Sequence, residues 1–224
     1  MTLGRPGALV LVTGTGTGVG KTWVAARALT ALRAAGCAVA ARKPVQSYGP
    51  DEGPTDAEVL AAATGEVPAA VCPPHRAYEL ALAPPMAAEA LGRAAFTIGE
   101  LVAETTWPTG LDVGIVEGAG GPRSPLAGDG DTVDLAHALE PDLVVLVGDP
   151  GLGTINAVRL AAGALAGHPL VVVLNRFDAT DGLHRRNRDW LAQRDRWQVV
   201  TEVRELVVRL DPRSAGSRDR RYSP

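Results

Sequence analysis

Cysteine and long apolar runs are both scarce in this chain of 224 residues, which has only two cysteines, Cys37 and Cys72. They do not share a metal-type spacing such as Cys-x-x-Cys, so we expect two free thiols in a reducing cytosol rather than a disulfide. The first apolar run, residues 8–13, is too short for a signal peptide or a membrane span, and no other run reaches membrane length. The sequence therefore predicts a cytoplasmic protein without a membrane partner.

Basic charge is also in short supply. Lysine and arginine number 22 against 25 aspartates and glutamates, which gives a net charge of −3. Because nucleic-acid binding needs a basic surface, this balance argues against a nucleic-acid partner. What the chain does have is a hydrophobic fraction of 46%, typical of a globular domain with a sizeable core.

Short apolar segments alternate with helix-like segments along the chain. The expected strands are 8–13, 37–42, 112–116, 143–147, 170–174 and 199–203. The expected helices are 21–35, 55–64, 86–92, 98–106, 132–139, 155–166 and 183–194. Because the strands are apolar throughout, they indicate a mostly parallel sheet buried on both faces. We predict a single doubly wound α/β domain over residues 1–210, with helices on both faces, and a disordered polar tail over residues 211–224.

Three loops follow expected strands and should open at the same edge of such a sheet, namely 14–22, 43–56 and 117–131. The first reads GTGTGVGKT: its glycines let backbone N–H groups turn toward phosphates, Lys21 can contact the β- and γ-phosphates, and Thr22 can bind Mg²⁺. The spacing departs from G-x-x-x-x-G-K-[ST], because Thr15 stands where the first glycine is expected. A turn without a ligand is the alternative, but GKT behind an apolar strand favours a P-loop NTPase fold.

Three further charged residues stand at strand ends or at a helix start. Lys43 directly follows the second strand, where it could stabilise a transferring phosphoryl group; a solvated lysine is the alternative. Asp56 can bind Mg²⁺ or only start a helix. Glu117 follows a strand and precedes Gly-Ala-Gly-Gly, which suits Mg²⁺ coordination, with a solvated loop acid as the alternative.

Taken together, the motifs VTGTGTGVGKT, RKPVQS, TD at 55–56, VEGAGG at 116–121 and LGTIN at 152–156 resemble the dethiobiotin synthetase family. Their order and spacing match over about residues 8–205. The shifted glycine of the P-loop is also similar to that family's version of the motif.

The resemblance implies a Mg²⁺-dependent ligase that uses ATP, or another nucleoside triphosphate, to convert 7,8-diaminopelargonate and CO₂ or bicarbonate to dethiobiotin. A carbamate would form on one amine, and ATP would phosphorylate it to a carbamic-phosphoric anhydride. The second amine would then close the ureido ring and release phosphate. The resemblance further implies a homodimer with the substrate site at its interface.

The resemblance also implies a role for each matching residue. The groups that act on the reacting atoms would be Lys21, Lys43, Thr17 and Ser47. The Mg²⁺ ligands would be Thr22, Asp56 and Glu117. The nucleotide would contact Gly16, Gly18, Val19, Gly20, Lys21, Thr22, Glu117, Gly120 and Asn175. The partner chain would bring to the substrate's carboxylate Leu152, Gly153, Thr154 and Asn156. We expect Lys21→Ala and Lys43→Ala each to abolish turnover while leaving the fold intact.

Several positions differ from the residues usual in that family, namely Gly18, Tyr48, Met86, Pro122, Arg123, Ala157 and Arg204. The last of these leaves the choice of nucleotide base open. The alternatives are a related amide ligase of the cobyrinate type, a regulatory ATPase similar to the Min or Par proteins, and a paralogue that binds nucleotide without turnover. The short chain and the RKPVQS motif favour a dethiobiotin synthetase over the amide ligase. The lack of a lysine at 15–18 argues against the regulatory ATPase.

Overall fold

The computed structural model describes residues 4–51 and 53–217. The strands of this part are β1 (Ala8–Gly14), β2 (Val39–Arg42), β3 (Gln46–Ser47), β4 (Ala77–Tyr78), β5 (Val113–Glu117), β6 (Pro125–Ala127), β7 (Gly130–Asp131), β8 (Leu143–Gly148), β9 (Leu170–Leu174) and β10 (Gln198–Val200). The helices are α1 (Lys21–Ala34), α2 (Asp56–Thr64), α3 (Pro68–Val71), α4 (Pro84–Ala90), α5 (Ile98–Glu104), α6 (Thr132–Leu139), α7 (Thr154–Ala164), α8 (Gly182–Asp189) and α9 (Val203–Leu210).

The central sheet has six strands in the order β10-β9-β8-β1-β5-β2, and every neighbouring pair is parallel. Strand order changes direction on either side of β1, which is the topology of a doubly wound sheet. The predicted single α/β domain with a parallel sheet is thus confirmed. Two short two-stranded ribbons, β3-β4 and β6-β7, lie outside the central sheet.

Helices cover both faces of the sheet, which explains why its strands are apolar throughout. In β1, Val10 and Val12 pack into a core with α1, α2 and α9, whereas Leu9 and Leu11 pack with α4, α5 and α6 on the opposite face. Helix α7 covers the same second face over β8 and β9. Both cysteines are buried and free, as expected.

Strand register brings residues distant in sequence together at the carboxyl edge of the sheet. Arg42 pairs with Val116 across β2 and β5, and Val12 pairs with Glu117 across β1 and β5. Lys43 therefore follows its strand at the same level as Glu117. A capping box starts α2, because Thr55 and Glu58 hydrogen bond reciprocally.

The end of the chain differs from the expectation. The predicted last strand, 199–203, is shorter, and α9 begins at Val203, a helix that we did not predict. Its apolar residues Leu206 and Leu210 are buried against α1 and the sheet, which stabilises the helix.

Part of the predicted polar tail is also described. Pro212–Ser217 form a 3-10 helix, in which Arg213 pairs with Asp211. The remainder of that prediction, 218–224, lies outside the described residues. In the described ranges we find no helix long and apolar enough to cross a membrane.

Candidate active site

The predicted loops meet at the carboxyl edge of the sheet around a cavity of about 670 Å³. The residues that line it are Thr17, Gly18, Gly20, Lys21, Thr22, Lys43, Gln46, Ser47, Asp56, Ala81, Leu82, Ala83, Pro84, Ala119, Gly120, Ser124 and Pro125. Glu117 is fully buried and contacts this wall through Lys43. The edge is where open parallel sheets bind their ligands.

The glycine loop has a backbone shape that depends on its glycines. Gly18 and Gly20 have φ angles of 76° and 94°, in the left-handed region that favours glycine. The carbonyl of Val19 accepts a hydrogen bond from Asn175 Nδ2 at 2.9 Å, and that of Gly18 accepts one from Arg176 at 3.0 Å. Since a peptide N–H points away from its carbonyl, these bonds hold the loop's amides free for an anion. Asn175, expected to contact the nucleotide, thus contacts the phosphate loop itself.

Gly20→Ala is expected to lower nucleotide affinity at least about tenfold and to cost about 1–3 kcal/mol of stability. A Cβ at this position would collide with Asn175 Nδ2, and the backbone angle disfavours any side chain. Isothermal titration with ADP and thermal unfolding measure the two effects. The matched control is Gly163→Ala in α7, where a Cβ meets nothing within 4 Å. Equal ADP affinity in both variants would contradict the role assigned to Gly20.

Lys43 is the most tightly held charge in the site. Its Nζ lies 2.7 Å from Asp56 Oδ2, 2.7 Å from Glu117 Oε1 and 3.0 Å from the carbonyl of Gly118. A lysine ammonium has three N–H donors, so these contacts use all of them. The side chain is 2% exposed. Lys43 must therefore release one of these contacts before it can donate to a ligand.

The Thr22 hydroxyl lies between the two carboxylates. Its oxygen is 2.7 Å from Asp56 Oδ1 and 2.9 Å from Glu117 Oε1, although a hydroxyl has a single proton to donate. Glu117 Oε2 is buried and has no hydrogen-bond partner among the described residues. These converging oxygens are the ligand type that Mg²⁺ prefers, and the unsatisfied contacts fit a cation.

The remaining ligands of such an ion would come from phosphate oxygens and water. In the described part of the chain no group of three or more histidine, cysteine, aspartate or glutamate side chains could hold a metal. A site with two carboxylates and a hydroxyl is typical of Mg²⁺ bound together with a nucleotide.

Burial and charge set the protonation of this cluster. Burial lowers the pKa of Lys43, but the Glu117 and Asp56 carboxylates outweigh it, so the net shift of the Lys43 pKa is upward and the ammonium stays charged. Burial likewise opposes ionisation of Asp56, yet Lys43 and the hydrogen bonds from Lys43 and Thr22 hold its pKa below the ordinary value. Complete burial raises the pKa of Glu117.

Lys21 has a different environment. Its Nζ donates to the carbonyl of Gly16 at 3.1 Å, and within the described ranges no carboxylate lies within ion-pair distance of it. Burial, together with the charge of Lys43, lowers the pKa of Lys21. Lys21 therefore offers two unused N–H donors and an unpaired charge to an anion in the cavity.

The other predicted residues divide into two groups. Thr17, Ser47 and Gly120 line the cavity. Leu152, Gly153, Thr154 and Asn156, expected from the partner chain, do not line it, and Leu152 is 93% exposed at the approach to α7.

Sequence reasoning missed several wall residues. Gln46 accepts a hydrogen bond from the amide of Ala57 at 3.0 Å and so anchors the start of α2 beside Asp56. Ser124 and the segment 81–84 also line the cavity. The signal for Gln46 was its place within RKPVQS, but the 81–84 segment lies in the least regular part of the sequence.

The fold and the cluster at its edge are those of the P-loop class of nucleotide-binding proteins, in which backbone amides and a lysine at a helix start hold phosphates. A family profile described as an AAA domain matches residues 9–208 of this chain.

Comparison with curated proteins narrows the class. The ATP-dependent dethiobiotin synthetase BioD of Haloferax mediterranei is 40% identical over 183 residues, which cover 79% of this chain and 75% of the relative. The enzyme of the same name from Caulobacter vibrioides is 37% identical over 181 residues, covering 77% of this chain and 82% of the relative. The chain belongs to the dethiobiotin synthetase family.

Solved structures similar to this chain support its fold and nothing beyond it. A plasmid partition protein of Borrelia burgdorferi bound to AMPPNP matches with a TM-score of 0.54 and 12% identity, covering 92% of this chain and 88% of that one. Chloroplast FtsY of Physcomitrella patens matches with a TM-score of 0.51 and 16% identity, covering 93% and 66%.

Proposed function

We propose that this protein is an ATP-dependent ligase that converts 7,8-diaminopelargonate and CO₂ to dethiobiotin, with release of ADP and phosphate. Family membership supports the reaction. The observation that carries the proposal within the structure is Lys43, a buried ammonium held between Asp56 and Glu117 beside a P-loop. This arrangement suits phosphoryl transfer, where positive charge must be positioned in advance.

The P-loop residues bind the triphosphate in this proposal. The amides that follow the held carbonyls of Gly18 and Val19 surround the phosphates, and the positive end of α1 adds its dipole. Lys21 donates to the terminal phosphates, since it carries unused donors and an unpaired charge. These phosphate contacts do not distinguish ATP from other nucleoside triphosphates, so the proposal leaves the base unspecified.

Lys43 and the carboxylates act at the transferred group. Thr22, Asp56 and Glu117 would hold Mg²⁺, which when bound neutralises and orients phosphate oxygens. Lys43 exchanges one of its carboxylate contacts for an oxygen of the phosphoryl group, whose charge shifts during transfer. The acceptor is an oxygen of the substrate's carbamate, which gives a carbamic-phosphoric anhydride. The second amine then attacks the carbonyl carbon of that anhydride, and phosphate leaves with the former carbamate oxygen.

We also propose a homodimer in which residues 152–156 of one chain complete the site of the other. Leu152, just before α7, is 93% exposed, and Leu160, within α7, is 69% exposed. Large apolar side chains exposed along one segment favour burial in an interface.

Leu152→Asp is expected to shift the protein from dimer to monomer and to raise the KM for the diamine, because a charge would have to enter the interface without a partner. Sedimentation at several concentrations measures the first effect, and steady-state kinetics the second. The matched control is Val67→Asp, at a position that is 66% exposed on another part of the surface. A Leu152→Asp dimer with ordinary kinetics would contradict the proposed interface.

The function itself is tested by mixing purified protein with Mg·ATP, bicarbonate and 7,8-diaminopelargonate, and following phosphate and dethiobiotin by mass. We expect both products in equal amounts, and only when the diamine is present. Phosphate release without the diamine would favour a regulatory ATPase. Nucleotide binding without any release would favour an inactive paralogue.

A further inference from the structure

Two serines line the same cavity, and their hydrogen bonds leave them with opposite capacities toward a ligand. Ser47 Oγ lies 2.6 Å from the carbonyl of Leu82, which can only accept, so the Ser47 proton is used there. Ser124 Oγ lies 2.9 Å from the amide of Gly121, which can only donate, so Ser124 acts as acceptor and keeps its own proton.

These partners are backbone groups, so the assignment does not depend on how the hydroxyls rotate. Ser47 can offer lone pairs to a ligand and therefore suits an amine or ammonium group. Ser124 can offer an O–H and therefore suits an anionic oxygen.

The loop around Ser124 is built closely enough to fix the hydroxyl. The amide of Ser124 donates to the carbonyl of Gly121 at 3.1 Å while the Gly121 amide donates back to Ser124 Oγ, which closes a small ring. Gly120 has a φ angle of 65°, and a Cβ at this position would collide with Ser124 Oγ. That same Cβ position is 3.9 Å from Thr17 Oγ1, so the loop packs near the P-loop.

We infer that Ser124 is a binding residue that donates a hydrogen bond to an anionic oxygen of the reacting group. Ser47, which the family resemblance already places at the reacting atoms, has the opposite polarity and can accept a hydrogen bond from the substrate's amine. This inference rests on the proposed function. The anionic oxygen belongs either to the carbamate or to the transferred γ-phosphoryl group, which present the same chemistry to a hydroxyl. The two serines would thereby fix which end of the reacting group faces the P-loop.

The first arm of the test measures the affinity of 7,8-diaminopelargonate in the presence of Mg·ADP, with and without bicarbonate. In wild-type protein we expect bicarbonate to tighten binding, because the carbamate forms. Ser124→Ala should lose that tightening by about tenfold or more, since a hydrogen bond to a charged group is removed, and should leave affinity without bicarbonate unchanged. Ser124→Thr, which keeps the hydroxyl, should restore the tightening.

The second arm compares the affinities of AMPPNP and ADP without the diamine. Loss of the preference for AMPPNP in Ser124→Ala would identify the γ-phosphoryl oxygen as the acceptor instead of the carbamate. Ser47→Ala is the matched variant, because it removes a hydrogen-bond acceptor where Ser124→Ala removes a donor. It should weaken diamine binding equally with and without bicarbonate.

The inference would be overturned if Ser124→Ala changed neither arm. It would equally be overturned if this variant weakened every ligand alike and unfolded at lower temperature, as a purely structural residue would. Wild-type protein that binds no diamine would refute the proposed function, and the AMPPNP arm alone would then decide whether Ser124 binds an anionic oxygen.

Discussion

Replacing Lys43 with methionine is expected to abolish turnover and to lower the free energy of unfolding by about 3–5 kcal/mol. Methionine keeps an unbranched side chain only one atom shorter, but removes the ammonium that neutralises Asp56 and Glu117. Glu117 is fully buried, so its carboxylate would be left without a compensating charge. Thermal unfolding measures the effect, which corresponds to a fall in Tm on the order of 10 °C for a domain of this size.

A second substitution separates charge from packing. If unpaired negative charge causes the loss, Glu117→Gln introduced into the Lys43→Met protein should recover part of the stability without recovering turnover. A Lys43→Met protein as stable as wild type would contradict the neutralising role. Because Lys43 is buried against two carboxylates, we expect Lys43→Ala to lower stability as well as turnover.

Lys21→Met is expected to reduce kcat/KM for ATP by about 10²–10³-fold without lowering stability. Lys21 has no carboxylate within ion-pair distance in the described structure, and its neighbour Lys43 repels it. Removing a buried, unpaired charge relieves an unfavourable term in the folded protein. Phosphate-release kinetics and thermal unfolding on the same preparation measure both effects.

The contrast between the two lysines is the informative result. Both variants should lose turnover, but only Lys43→Met should lose stability. Lys21→Arg is a useful control, because it keeps the charge while changing the geometry at the phosphates. A large fall in Tm for Lys21→Met would show that the lysine supports the folded state and would contradict its assignment as a cation free for the nucleotide.

The central sheet could be predicted from the sequence because its strands carry an unambiguous signal. Strands β1, β5, β8 and β9 are short and apolar throughout, which is the pattern of strands covered on both faces. Helix α9 was missed although Val203, Leu206, Val207 and Leu210 have helical spacing, because the helix is only eight residues long and offers few repeats of that pattern.

The chemistry of the site could be predicted only one residue at a time. The positions of Lys43, Asp56 and Glu117 after strands or at a helix start pointed to function, but nothing in the sequence indicated that one ammonium would contact both carboxylates. The contact with Glu117 follows from the register of β2 against β5, and the contact with Asp56 from the position of α2; both are tertiary properties. The opposed hydrogen bonding of Ser47 and Ser124 likewise depends on backbone groups brought close by folding.

In the proposed reaction, the γ-phosphoryl group of ATP is transferred to an oxygen of a carbamate beside Lys43, Asp56 and Glu117. The most direct test supplies ¹⁸O-labelled bicarbonate with the diamine and Mg·ATP. The reaction is stopped before the bicarbonate exchanges its ¹⁸O with water, and the released phosphate is examined by mass. A carbamate acceptor predicts phosphate that carries an oxygen atom from bicarbonate. Phosphate that carries no ¹⁸O would mean that water is the acceptor, and would contradict the account.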